Sequence, residues 1–331
     1  MKPAPFDYVA PTELSDAVAR LAEQPETTTV LAGGQSLVID LHFRLHRPAL
    51  LVDINNVPAL AAVTVDGDAL RVGALARHRA FETPSVAPGA LGRLLSRISP
   101  FIAHPPIRAR GTMAGSLVFA YPGGEWCAMA VALDAAIELT GSAGSRTVAA
   151  GDFFFGPQEG PVPPGGFLFI GQKKTARQPD EILTSVRLPL LPWPDAEADA
   201  VGVGFCEQRR GHTGFAQVCA VAVLTLRNGV ISGARLGLGN AADRPLRAHD
   251  AEAYLLGREP GQRVFARAAE LAMAAAVPVA EPYAGVEYKR HAVGVLLRRA
   301  LTQAHEDGND QHRRRGERRG EHDDSLRTGA R

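Results

Sequence analysis

The chain has 331 residues, of which 46% are hydrophobic and 21% are charged, a composition typical of a globular protein with two or three domains. Its 36 basic and 35 acidic side chains leave a net charge of +1, which gives no electrostatic reason to expect nucleic acid or a membrane as a partner. Three isolated cysteines without a CxxC pair argue against an iron–sulfur cluster or structural zinc held by this chain.

The first half of the chain alternates between helical and strand-like patterns. Apolar residues recur at helical spacing over residues 14–22, and a second helix is predicted at residues 91–101. Short buried strands are predicted at residues 28–31, 49–54 and 70–75. This alternation predicts a small α/β unit at the start of the chain.

The second half contains a hairpin followed by helices. A polar stretch at residues 173–179 is the predicted domain boundary, and a strand is predicted just beyond it, at 182–190. Asn228-Gly229 joins two apolar alternating runs, which is a strong signal for a two-residue β-hairpin. Helices are predicted at residues 248–256, 264–276 and 287–302. From residue 305 onwards the chain is highly charged and nearly free of apolar residues, which predicts a disordered tail over 305–331.

Two glycine-containing loops are candidates for binding an anion. Ala32-Gly33-Gly34-Gln35-Ser36 directly follows a predicted strand, and Arg110-Gly111-Thr112-Met113-Ala114-Gly115-Ser116 offers small residues and two hydroxyls. Glycine allows the backbone to turn tightly and to present successive N–H groups to a phosphate. Neither loop has the spacing of a dinucleotide-binding or P-loop fingerprint, so spacing predicts an anion site without naming the nucleotide, and a simple tight turn stays open.

Several ordered blocks resemble one family. LAGGQSLVIDLHFRLHRPALLVDINNVPAL at residues 31–60 resembles the opening of the FAD-binding medium subunit of the carbon monoxide dehydrogenase and xanthine dehydrogenase (molybdenum hydroxylase) family. The resemblance continues in AHPPIRARGTMAGSL, DEILTSVRLP, NAADRPLRAHDAEAYLLG and YAGVEYKRHAVGVLLRRAL. These blocks stand in the family's order and cover nearly all of residues 1–304.

The resemblance implies an α+β protein. It implies a two-part FAD-binding domain of the vanillyl-alcohol oxidase/p-cresol methylhydroxylase type, followed by a smaller C-terminal α+β domain with an antiparallel sheet and helices. The expected ranges are 1–175 for the FAD-binding domain, with parts at about 1–57 and 58–175, and 180–304 for the C-terminal domain.

The resemblance also implies a function in electron transfer. FAD is the expected cofactor, and the expected partners are an iron–sulfur subunit and a molybdopterin subunit. The flavin collects electrons from the iron–sulfur subunit and delivers them to NAD, a quinone or oxygen. Because the flavin performs the redox chemistry, no catalytic side chain and no metal ligand is expected from this chain. The expected location is the cytoplasm, because the N-terminus has no signal-like pattern and no apolar run reaches about 20 residues.

The resemblance assigns particular residues to FAD. In the two loops these are Ala32, Gly33, Gly34, Gln35, Ser36 and Leu37, then Thr112, Ala114, Gly115 and Ser116. Glu125 matches an acidic position near the flavin, and Ile182 matches a place where the backbone lies beside it. Tyr121 stands where the family has an aspartate, and it either contacts the flavin or fills the space that the aspartate leaves.

Other positions depart from the family pattern. Ala114 replaces a glycine, Phe119 replaces a histidine, Glu207 replaces a lysine, and Thr213-Gly214 replaces Gly-Asp. A methyl group at Ala114 is expected either to crowd the cofactor or to require a strained φ angle. These departures leave two alternatives to the electron-transfer subunit. One is a stand-alone flavin-dependent oxidoreductase acting directly on a small molecule, and the other is a scaffold homologue that has lost FAD.

Overall fold

The computed structural model describes residues 2–157, 173–192, 198–211 and 214–328, so Thr213 and residues 329–331 of the predicted tail lie outside the described residues. These residues form a small parallel sheet, a five-stranded sheet and a four-stranded sheet, with one further two-stranded pair. Short 3-10 helices lie between the main elements at Ile54–Asn56, Pro58–Leu60, His78–Phe81, Pro84–Val86 and Ser99–Phe101.

The first group of elements is the small parallel sheet with its helices. It consists of β1 (Asp7–Val9), α1 (Leu14–Glu23), β2 (Thr28–Leu31), α2 (Leu37–His42) and β3 (Leu50–Asp53). The strand order is β1-β3-β2, and β3 pairs in parallel with both neighbours. The helix predicted at residues 14–22 forms as α1 and buries Ala17, Val18 and Leu21. Because β2 and β3 are parallel neighbours, the loops that follow them emerge at the same edge of the sheet.

The second group builds the five-stranded sheet. Its elements are β4 (Val63–Asp66), β5 (Ala69–Gly73), α3 (Gly89–Ile98), α4 (Pro105–Arg108), α5 (Met113–Phe119), α6 (Glu125–Ala132), β6 (Ala136–Gly141), β7 (Gly144–Ala149), α7 (Ala150–Phe153), β8 (Phe154–Pro157), β9 (Lys173–Thr175) and β10 (Ile182–Pro189). The strand order is β4-β5-β10-β6-β7 with antiparallel pairing, and β8 pairs with β9.

The third group is the C-terminal sheet with its helices. It comprises β11 (Ala200–Gln208), β12 (Val218–Arg227), β13 (Val230–Gly239), β14 (Leu246–Arg247), α8 (His249–Leu255), α9 (Gln262–Ala275) and α10 (Val286–Thr328). The sheet is antiparallel in the order β11-β12-β13-β14. The predicted hairpin forms between β12 and β13, where Asn228 and Gly229 have φ angles of 52° and 77°. Positive φ at both central residues is the requirement of the tight hairpin turn that Asn-Gly favours.

One strand lies in a different domain from the one predicted. The predicted C-terminal domain at residues 180–304 would include β10, but β10 is the central strand of the five-stranded sheet. Val186 is paired with Val72 of β5 on one side and with Ile137 of β6 on the other. The first domain therefore extends past the predicted boundary at residue 175. Strand pairing over such a distance in the sequence leaves no local signal, so the polar stretch was a misleading boundary.

The start of the predicted disordered tail also differs. Helix α10 continues through residue 305, and Asp307 forms ion pairs with Arg93 at 3.0 Å and Arg97 at 3.2 Å, both on α3. The side chain of Asp307 is only 8% exposed. Tertiary contacts thus hold this part of the helix, although its composition gives little apolar surface to bury. Among the described residues, no helix is long and apolar enough to span a membrane.

Strand β11, which the sequence analysis did not predict, packs closely against α10. A Cβ atom placed on Gly202 would lie 1.7 Å from the carbonyl oxygen of Ala304, and one on Gly204 would lie 2.0 Å from that of Ala300. The two glycines weaken the strand signal in the sequence, but they allow the helix backbone to approach the sheet.

Candidate functional site

The two glycine-containing loops are in direct contact. We call residues 32–36 loop 1 and residues 110–116 loop 2. A Cβ atom placed on Gly33 would lie 2.6 Å from the carbonyl oxygen of Arg110 and 2.7 Å from the Cα of Gly111. Such distances exclude any side chain at Gly33, so glycine is required for the close approach of the two backbones. The sequence predicted two loops that hold one ligand, and the fold places them side by side.

Loop 1 presents unused hydrogen-bond donors. Gly34 has a φ of +74°, a conformation that glycine adopts readily, and the loop residues are half-buried. Among the described residues, the backbone amides of Gly34, Gln35 and Ser36 have no acceptor. Consecutive free N–H groups in a tight turn form a concave site for an anion. Loop 1 is therefore suited to a phosphate group.

Two side chains behind the loops fix their separation. Asn55, in the turn after β3, donates its amide to the carbonyl oxygen of Ala32 at 2.8 Å. Its own oxygen accepts a hydrogen bond from Arg77 at 2.6 Å, and Arg77 also donates to the carbonyl oxygen of Arg110. A single chain of hydrogen bonds thus runs from loop 1 to loop 2. Burial, followed by the nearby charge of Arg110, lowers the pKa of Arg77 from its usual value.

Loop 2 includes the first turn of helix α5. The hydroxyl of Thr112 caps this helix by accepting a hydrogen bond from the amide of Gly115 at 3.0 Å. Ala114 lies in the first turn with helical backbone, and its side chain is buried in the core at 4% exposure. The expectation of a strained φ at Ala114 is therefore wrong, because a helical residue carries a methyl group without strain.

A buried histidine supports loop 2 from behind. The ring of His78 would lie 2.8 Å from a Cβ atom on Gly111, and its Nδ1 accepts a hydrogen bond from Trp126 Nε1 at 3.0 Å. Burial, and then the charges of Arg108 and Arg77, lower the pKa of His78 to about 4. The imidazole is accordingly neutral at physiological pH, as an acceptor for Trp126 must be. Trp126 belongs to α6, so this helix also helps to hold loop 2.

Tyr121 reaches from the α5–α6 turn to the C-terminal domain. Its hydroxyl donates to Glu281 at 2.9 Å, and Asn240 donates to the same carboxylate at 3.1 Å. The other oxygen of Glu281 is 3.0 Å from the ammonium of Lys289, whose side chain is fully buried. Burial, and then the charge of Glu281, raise the pKa of Tyr121. The hydroxyl of Tyr121 thus forms a contact between the two domains.

Glu125 and Ile182 lie on two further elements. Glu125 is the first residue of α6 and is buried at 8% exposure. Ile182 is the first residue of β10 and is also buried. Pairing of β10 with β6 includes Ile182, whereas pairing with β5 begins only at Ser185. The start of β10 thus extends beyond the end of β5 and pairs there with β6.

Comparison with known proteins identifies the family. Residues 4–191 match the model of the FAD binding domain in molybdopterin dehydrogenase, and residues 204–304 match the CO dehydrogenase flavoprotein C-terminal domain. The chain belongs to the FAD-binding subunits of the molybdopterin dehydrogenase family. The matched ranges divide the chain after β10, in agreement with the strand order of the five-stranded sheet.

Relatives of this flavin subunit match it over most of their length. The carbon monoxide dehydrogenase medium chain of Afipia carboxidovorans is 32% identical, covering 92% of this chain and 98% of the relative. The caffeine dehydrogenase subunit beta of a Pseudomonas species is 34% identical, covering 79% of this chain and 81% of the relative. A solved structure of reconstituted CO dehydrogenase from Oligotropha carboxidovorans aligns with a TM-score of 0.83 at 31% identity, covering 93% of this chain and all of the aligned chain.

The two loops fit the cofactor of the family. A dinucleotide requires free amides for its pyrophosphate and a backbone that no side chain blocks, and loop 1 supplies both at Gly33 and at Gly34 to Ser36. Sequence reasoning found these loops but missed Asn55, Arg77 and His78, which hold them together. Asn55 could have been found from the sequence, because it follows β3, which is parallel to β2, and the loops after two neighbouring parallel strands emerge at the same edge of the sheet. Arg77 and His78 gave no local signal.

The flavin subunit with Asn55 replaced by alanine is expected to bind FAD about tenfold more weakly. Asn55→Ala removes hydrogen bonds to both Ala32 and Arg77, and a loss of about 1–2 kcal/mol in holding loop 1 corresponds to roughly that factor. The dissociation constant is measured by quenching of flavin fluorescence. Asn56→Ala is the matched control, because Asn56 is the exposed neighbour. Equal affinities of the two variants would contradict the role of Asn55.

Proposed function

We propose that this chain carries FAD between loop 1 and loop 2 and passes electrons from an iron–sulfur subunit to an external acceptor. The single observation that supports this proposal most directly is the contact of the two loops at Gly33, with free amides beside it. Relatives with this architecture include medium chains of carbon monoxide dehydrogenase and a medium subunit of nicotine 6-hydroxylase. Bound FAD supplies the redox chemistry, and the protein binds, orients and tunes it.

The residues of the chain have separate parts in this proposal. The amides of Gly34, Gln35 and Ser36 hold the pyrophosphate, and the hydroxyls of loop 2 add donors. Glu125 offers a carboxylate to cofactor hydroxyl groups, because a carboxylate accepts hydrogen bonds strongly. Tyr121 fixes the turn between α5 and α6, since its hydroxyl is already donated to Glu281. The remaining proposed contacts come from Ala32, Leu37, Thr112, Ala114, Gly115, Ser116 and the backbone of Ile182.

The oxidised organic substrate belongs to the molybdopterin subunit in this proposal. The relatives' names cover carbon monoxide, caffeine and nicotine, which differ widely in size and polarity. Relatives with such different substrates are similarly identical in sequence to this chain, which is expected if the pocket that binds the substrate lies on another subunit. The acceptor that takes electrons from the flavin is NAD, a quinone or oxygen. We place the complex in the cytoplasm, where reduced cysteines such as Cys127, Cys206 and Cys219 persist.

The test of this function begins with an absorption spectrum of the purified chain, before and after addition of FAD. We expect flavin bands and a dissociation constant in the micromolar range or below. The chain is then assembled with its iron–sulfur and molybdopterin subunits. We expect flavin reduction by substrate only in the assembled complex. A chain that binds no FAD even in the complex contradicts the proposal, and reduction of the isolated chain by an organic substrate supports a stand-alone oxidoreductase instead.

A further inference from the structure

Two buried acids meet where the domains join. Glu125 opens helix α6 of the first domain, and Glu207 lies near the end of strand β11 of the C-terminal domain. The side chain of Glu207 is completely buried, and Glu125 is 8% exposed. Carboxylates are rarely buried without a cationic or hydrogen-bonding partner, because desolvation of the charge is costly. The pair therefore requires an explanation.

The carboxyl group of Glu207 is not satisfied as an anion by any donor in the described ranges. Among the described residues, neither of its oxygens accepts a hydrogen bond. Arg209 lies nearby, with its Nε 3.5 Å from Glu207 Oε1, but this nitrogen is not aligned for a hydrogen bond. Arg209 donates instead to the carbonyl oxygen of Phe101 at 2.8 Å. A protonated Glu207 needs no external donor, because it carries one itself and Glu125 is the acceptor beside it.

In the part of the chain that the structure describes, the other groups around the pair supply little compensating charge. Arg209 at the end of β11 is the cation that faces both acids. Cys219 on β12 faces both acids, and Tyr121 before α6 faces Glu125. Burial, and then the charges of the two acids, raise the pKa of Cys219, and burial raises that of Tyr121, so both stay neutral. One negative charge is balanced by Arg209, whereas two are not.

The position of each acid decides which one keeps the proton. Glu125 stands at the N-terminus of α6, where the helix dipole and free amides favour a carboxylate. Burial, and then the charge of Glu125, raise the pKa of Glu207 to about 9. Burial raises the pKa of Glu125 less, to about 7, because hydrogen bonds from its own backbone and from Glu207 oppose the shift. The proton therefore belongs mainly to Glu207.

We propose that Glu207 is a positioning residue that stays protonated at neutral pH, donates a hydrogen bond to Glu125 and so holds Glu125 as a buried carboxylate. The first turn of α6 packs against loop 2, since Trp126 binds His78 and the thiol of Cys127 donates to Ser116 at 3.6 Å. Glu207 thus acts on the cofactor site through Glu125 from the other domain. This inference rests on the proposed function, in which Glu125 accepts from a cofactor hydroxyl.

The sign of the pH dependence follows from proton binding. In the folded protein the pair holds a proton above pH 4.5, whereas an unfolded glutamate loses it near that pH. The folded state therefore binds more protons between pH 4.5 and about 9, and stability falls as pH rises across that range until the raised pKa of Glu207 is passed. With one proton at stake, the unfolding equilibrium constant increases by up to about tenfold per pH unit in that window.

The test compares the full-length wild-type chain without FAD to Glu207→Gln, in urea unfolding at pH 7, 8 and 9. Glutamine imitates the protonated acid but cannot titrate, so the variant is expected to lose the pH dependence of the wild type. Glu252→Gln is the matched control. Glu252 is similarly buried, with its side chain 8% exposed, but it pairs with Arg247 at 3.0 Å instead of with another acid. This control is expected to keep the wild-type slope.

Two further measurements separate the possible outcomes. Infrared spectra of the wild type are expected to show a protonated carboxyl band at pH 7 that loses about half of its intensity by pH 9, close to the pKa of Glu207, and that is missing in Glu207→Gln. The proposal is overturned if stability changes with pH to the same extent in the wild type and in Glu207→Gln. If the variant does not fold, the proposal is overturned when the wild type lacks the protonated carboxyl band.

FAD titrations at pH 7 and 9 are expected to show weaker binding at pH 9 in the wild type only. If the free energy of unfolding depends on pH only in the wild type but neither protein binds FAD, the shared proton between the two acids is supported and the proposed function is contradicted.

Discussion

Replacing Gly33 by alanine is expected to raise the dissociation constant for FAD by about 100-fold. The new methyl group would lie 2.6 Å from the carbonyl oxygen of Arg110 and 2.7 Å from the Cα of Gly111, and both are backbone atoms that cannot rotate away. Loop 2 must shift, and overpacking of this kind costs about 1–3 kcal/mol, whose upper end corresponds to that factor. Flavin content after purification and a fluorescence titration with FAD measure the effect.

Gly151→Ala is the matched control for this substitution. Gly151 lies in the short helix α7, and a Cβ atom placed there meets nothing within 4 Å. This variant is expected to bind FAD as the wild type does, and its melting curve should be unchanged or slightly higher. If Gly33→Ala folded and bound FAD with wild-type affinity, the close contact of the two loops would not be required for FAD binding.

Replacing Lys289 by methionine is expected to lower the free energy of unfolding by about 3–5 kcal/mol. Methionine keeps most of the apolar stem but leaves Glu281 as a nearly buried anion, with its side chain 10% exposed. Removing one partner of a buried ion pair is costly for this reason, because the remaining charge stays desolvated. Urea unfolding followed by circular dichroism gives the change. The variant also weakens the anchor of Tyr121, which donates to the same carboxylate.

The adjacent residue provides the control. Arg290 pairs with Glu287 on the surface at 2.6 Å, and the side chain of Glu287 is 85% exposed. Arg290→Met is expected to cost less than about 1 kcal/mol, as surface ion pairs usually do. Adding Glu281→Gln to the Lys289→Met variant removes the isolated charge and is expected to recover part of the lost stability. If Lys289→Met and Arg290→Met lowered the free energy of unfolding by similar amounts, burial would not be the reason for the strength of the Lys289–Glu281 pair.

The sequence correctly predicted helices and turns that are determined by residues close together in the chain. The helix at residues 14–22 and the hairpin at Asn228-Gly229 depend on apolar spacing and on the φ preference of Asn-Gly. The structure confirms both. Strand β11 was missed because Gly202 and Gly204 lower its strand propensity, although they are required by the approach of α10. That reason is visible only when the helix and the strand are seen together.

The candidate site was predictable in part. Resemblance selected both loops, and the structure brings them together at Gly33 and Gly111. The supporting side chains were not found, because Asn55 and Arg77 act through hydrogen bonds between segments far apart in the sequence. Tyr121 illustrates the same limit. Its replacement of an aspartate was visible, but its partner Glu281 lies 160 residues further along the chain.

The ion pair of Asp307 with Arg93 has a consequence for how the protein is made. The two residues are 214 positions apart, so at about 5–20 residues per second their contact waits roughly 10–40 s after Arg93 leaves the ribosome. During that interval the residues of both cofactor loops have already been synthesised, whereas the C-terminal helix that closes against α3 has not. Closure of the joined domains is thus a late event in biosynthesis, and the first domain must stay soluble with Arg93 and Arg97 still unpaired by Asp307 until it occurs.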